Sequence, residues 1–111
     1  MSIAYTAEKF HQAVDTMIVG DGDVKDRLMF AAFYLVRLVG HTPAFTAGSE
    51  LQIRFDRMMA RITNTPAAGD EGQIDASVHR LDRSELEGVT REILALYVEA
   101  EVLLRGRGAG M

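Results

Sequence analysis

Histidine, carboxylate and hydroxyl side chains carry most catalysis and metal binding, and in this chain they are scattered. The three histidines, His11, His41 and His79, stand far apart and match no HExxH or comparable ligand spacing. His11 and Asp15 fall one helical turn apart, as a metal or acid–base pair would. Two ligands make no site, however, and a solvated helix face accounts for the pair. Asp21-Gly22-Asp23 has part of the spacing of a calcium loop but lacks the remaining ligands and the bidentate glutamate. It reads as a turn followed by a helix cap. No serine sits in a GxSxG elbow, and neither GxGxxG nor GxxxxGK[ST] occurs. The absence of cysteine removes thiolate nucleophiles, thiolate zinc sites, iron–sulfur ligation and disulfides together. The expectation is a protein that is not an enzyme and holds no cofactor or metal.

Two other patterns carry more information. Arg54, Arg57 and Arg61 recur at i, i+3 and i+7, within about 60° of one another on a helix. Such a stripe can hold phosphate oxygens or an acidic partner. Glu50, four residues before Arg54 on the same face, is expected to pair with it. Arg80, Arg83 and the arginines of the C-terminal tail could add to this face. The second pattern is a line of Leu94, Val98 and Val102, separate from the core stripe of the same segment. An apolar line on a second face needs cover. Packing inside the fold and a seam between molecules are equally good explanations.

These side chains must be positioned by helices, because the periodicity is helical throughout. A first helix is expected from about Ala7 to Val19, capped by Thr6 and stopped at Gly20, with Phe10, Ala13, Val14 and Met17 on one face. Asp23 is placed to cap a second, from about Val24 to Val39, ending at Gly40. Val24, Leu28, Ala31, Leu35 and Leu38 form its main stripe, while Met29, Phe30 and Phe33 project from the other side. A helix apolar nearly all round belongs at the centre of a bundle or in an oligomer interface, so Phe30 and Phe33 are a second candidate surface. Thr42-Pro43 is suited to open a short helical turn.

A third helix is expected over about Glu50 to Thr63, capped by Ser49, burying Leu51, Phe55, Met58, Met59 and Ile62. Pro66 stops it, since the residue before a proline is pushed away from helical angles. Between Asn64 and Leu81 the pattern is undecided: 67–72 reads as a loop, and Ile74, Val78 and Leu81 should pin the crossover to the core. Asp82 and Glu85 then form a capping box. The last helix should run to about Arg105 with Leu86, Val89, Ile93, Tyr97, Ala100 and Leu104 inward, and Gly88 weakening its first turns.

The fold class implied is all-α: a single domain over 1–105, an antiparallel bundle of about four helices with the second helix central, and a flexible tail over 106–111. Its 111 residues suffice for one independent core. The net charge of −4, with signs mixed along the chain, disfavours nonspecific binding to nucleic acid. No basic segment followed by an apolar stretch opens the chain, so no cleaved secretory signal is expected. The longest apolar run, Leu28 to Val36, falls far short of the ~20 residues of a membrane span. A cytoplasmic location follows as the expectation.

By elimination the leading functional expectation is a small non-catalytic module, an adaptor, regulator or inhibitor, that binds another protein and pairs as a homodimer. Leu94, Val98, Val102, Phe30 and Phe33 are its candidate interface. The alternative is a nucleic-acid or phosphate-ligand binder acting through Arg54, Arg57 and Arg61. Either way, four periodic segments with matching caps predict a far-UV circular dichroism spectrum dominated by helix. A spectrum dominated by strand would overturn the fold class.

Overall fold

The four long helices each begin where a short polar side chain replaces a missing backbone partner. The computed structural model describes residues 2–40, 43–64 and 72–109, with side chains as far as Gly106. Helix α1 spans Ile3–Val19 and is capped by Ser2, whose hydroxyl accepts the Tyr5 N–H at 3.2 Å. Thr6 is therefore inside the helix rather than its cap. It is fully buried and donates its hydroxyl to the Ala44 carbonyl at 2.7 Å. Gly20 ends α1 in an extended conformation, and a Cβ there would come within 2.3 Å of the Thr16 carbonyl oxygen. Gly22, at a φ of 92°, turns the chain into α2.

Helix α2 spans Val24–Leu35 and continues as a 3-10 turn over Val36–Leu38. Asp23 and Asp26 form a reciprocal capping box at its start. From Pro43 to Ser49 the chain makes bends and a turn closed by Ser49 N–H donating to the Thr46 carbonyl. No helical turn forms across Pro43, and Thr42, its expected cap, lies outside the described residues. Helix α3 spans Glu50–Thr63, with the Ser49 hydroxyl accepting the Gln52 N–H. The expected stop at Pro66, and the expected loop apart from Gly72, also lie outside the described residues.

The undecided stretch contains a short helix, α4, over Gln73–His79. Val78 is wholly buried, Leu81 nearly so, and Ile74 packs partly buried against the core. Lys25 adds a tie by donating to the His79 carbonyl at 2.9 Å. Helix α5 spans Arg83–Ala109 and opens on the Asp82–Glu85 capping box. It continues a turn beyond Arg105 and is about 40 Å long at 1.5 Å per residue. Among the described residues the chain is all-helical, with five α-helices and no strand. The fifth helix is α4.

The centre of the fold is α1, which packs along both α2 and α5, rather than α2. Ala7 and Ala13 are buried on α1 and let neighbouring backbones approach. Its ring of Phe10 meets Phe45 and Phe55 at centroid distances of 6.0 Å each, and those two meet at 6.4 Å. The Phe45 N–H is held by the Gln52 side-chain oxygen at 2.8 Å, fixing the 43–49 connection over the core. Against α5, α1 runs antiparallel: His11 lies beside Tyr97, and Met17 shares a small cavity with Thr90. Of the expected α2 stripe, Leu28, Ala31, Leu35 and Leu38 are buried, but Val24 stays exposed at the helix start.

Two substitutions test this packing. Leu35→Ala should cost about 2–5 kcal/mol in denaturant melts, because Leu35 is fully buried and truncation leaves a cavity. The exposed Arg57→Ala should stay within about 0.5 kcal/mol, so equal losses would mean the faces are misassigned. Thr6→Val keeps the shape but strips the donor from the Ala44 carbonyl, and should cost about 1–3 kcal/mol.

Candidate functional site

Three surfaces stand out, and α5 contributes to two of them. On its outer side Leu94, Val98 and Val102 are 50%, 50% and 56% exposed, so the second apolar line is left open by the described residues. Neither α1 nor the described part of the crossover hides it. Phe30 and Phe33 lie on the outer side of α2, also about half exposed, with ring centroids 6.1 Å apart. Both candidate apolar surfaces are thus open, on different helices.

The third surface is a groove of about 570 Å³ between α3 and α5. Arg54, Arg57 and Arg61 line it from α3, and Arg91 joins them from α5. Its apolar wall is the half-buried Ala95, lying over the buried Met58 and Val89. The two helices run antiparallel here, since Arg54 meets Glu92 while Arg61 lies against Gly88. Phe55, Met58, Met59 and Ile62 point into the core, which turns the arginine stripe outward along the seam.

Arg54 is not paired with Glu50 as its helical spacing suggests. It reaches across the groove to Glu92, with its Nε and Nη2 donating to the two carboxylate oxygens at 3.3 and 2.5 Å. This hydrogen-bonded pair holds the Arg54 pKa above its ordinary value against partial desolvation, and Glu92, Glu50 and Glu99 add attraction. The pair spans two helices in a fork geometry that a lysine could not reproduce. Arg57, Arg61 and Arg91 have no ion-pair partner among the described residues. Gly88 leaves the α5 backbone open: a Cβ there would find only the Arg61 Nη1, at 3.7 Å.

Arg91 and Gly88 escaped the sequence reading because only the fold brings α5 against α3. A partial signal existed, since Gly88 and Glu92 sit one turn apart on the side of α5 away from Leu94. Of the remaining candidates, His11 is exposed beside Tyr97 and Asp15 is exposed. No group of three or more His, Cys, Asp or Glu side chains able to hold a metal occurs among the described residues. Asp23 serves as the α2 cap, as its spacing implies. Arg80 and Arg83 are exposed and do not line the groove, and Arg83 faces Glu87 at 3.5 Å. No described helix is long and apolar enough to cross a membrane. The chain matches no protein-family model, no curated protein and no solved structure.

Proposed function

We propose that the protein is a non-catalytic interaction module acting by binding another protein, and that its first partner is a second copy of itself along α5. The observation that carries this reading is the exposed line of Leu94, Val98 and Val102 on a helix whose other side is core. Apolar stripes of this kind are most simply buried by two-fold pairing of the same surface. A cytoplasmic setting fits a chain without cysteine.

The charges around the line favour one arrangement. Glu87, Leu94, Val98 and Arg105 fall within about 40° of one another around α5. They are also placed symmetrically about position 96. An antiparallel pair centred there sets Leu94 against the partner's Val98 and Glu87 against the partner's Arg105. A parallel pair would stack like charges at both ends, which is destabilising. Within one chain these groups are weakly engaged: Glu87 meets only Arg83, at 3.5 Å with both side chains exposed. Arg105 has no ion-pair partner among the described residues.

Light scattering at micromolar concentration should give twice the 12.2 kDa chain mass. Val98→Asp places a charge in the seam and should yield a monomer of unchanged helicity. Glu87→Arg and Arg105→Glu should each weaken the dimer, and the double reversal should restore it. A monomeric native protein rejects self-association. A dimer that survives Val98→Asp but fails with Phe33→Asp would move the interface to α2.

A further inference from the structure

We infer that the groove between α3 and α5 is a binding site for a compact oligophosphate, the di- or triphosphate group of a small molecule or the free anion. Three guanidinium groups, those of Arg57, Arg61 and Arg91, line one groove without ion-pair partners among the described residues. Arginine forks match phosphate oxygens, and a volume of about 570 Å³ is of small-ligand size. Arg54, clamped by Glu92, forms a fixed edge. Gly88 removes the side chain that would otherwise fill the α5 wall opposite Arg61.

The charge pattern sets the ligand's size. Glu50, Glu92 and Glu99 all act on Arg54, so the groove turns acidic at that end. The positive stretch is confined to the turns carrying Arg57, Arg61 and Arg91. A nucleic-acid strand or an acidic peptide running along the groove would meet those carboxylates, and the net charge of −4 opposes a polyanion beyond it. A short, highly charged anion avoids both penalties. Ala95 and the aliphatic stems of the groove arginines can lie against an apolar body attached to it.

Isothermal titration of the full chain with inorganic tripolyphosphate, and separately with ADP, tests the inference. One site per chain is expected, weakening steeply as salt is added. Arg57→Gln and Arg61→Gln should each reduce affinity about tenfold or more, while Arg37→Gln on the 3-10 turn should not. Glu92→Gln frees Arg54, removes an opposing charge and should tighten binding. Circular dichroism of each variant checks that it is folded. Equal affinity for tripolyphosphate and ADP assigns recognition to the phosphates; tighter ADP binding assigns part to the apolar wall. Val98→Asp should bind equally well, since the site is complete in one chain. No binding of either probe, equal losses from Arg37→Gln, or tighter groove-dependent binding of single-stranded RNA or polyglutamate would overturn it.

Discussion

Phe10, Phe45 and Phe55 come from α1, the 43–49 connection and α3, and their rings meet at the centre of the fold. Much of the remaining geometry depends on that meeting. It draws the connection down over α1, where Thr6 and Gln52 satisfy the backbone groups that burial would otherwise orphan. It also fixes the rotation of α3 about its own axis. With Phe55, Met58, Met59 and Ile62 committed inward, the arginines between them can face only the seam with α5. The chemistry of the groove is thus a by-product of aromatic packing on the opposite side of the same helix.

Helix α5 is used three ways. Val89, Ile93, Leu96 and Ala100 are fully buried and complete the core against α1. Gly88, Arg91 and Glu92 form one wall of the groove. Leu94, Val98 and Val102 remain open. One continuous helix serving three faces needs few connections, which suits a chain of this size.

Local features were the most legible in the sequence. The caps at Asp23, Ser49 and Asp82, and the four long helices, follow from groups a few residues apart, and short-range physics decides them. Thr6 was misread for the same reason. Ser2 and Thr6 are both chemically able to cap, and what assigns Thr6 to the core is Ala44, far along the chain. Phe45, a single aromatic in a non-helical stretch, carries no period. Helix α4 has seven residues, too few for a periodicity to distinguish it from an extended segment. Arg54 had a plausible local partner in Glu50, and the structure prefers Glu92 because a partner across the seam accepts both arms of the guanidinium. The apolar line on α5 could be located but not classified, since whether it is covered depends on where α1 and the crossover settle.

Ala100 is fully buried, and its neighbours along the chain are Glu99 and Glu101. That arrangement guards the length of α5. Inserting one residue after Glu92 turns everything beyond it by about 100°. Glu99 then occupies the angular place of Ala100, and Ile93 moves to the open side. Deleting a residue there turns the helix the other way and brings Glu101 to the same buried place. Either error drives a carboxylate into the contact with α1, where it has no partner and its desolvation costs several kcal/mol. A one-residue insertion or deletion should therefore be tolerated in the connections and not within α5, which behaves as a ruler whose graduations are charged.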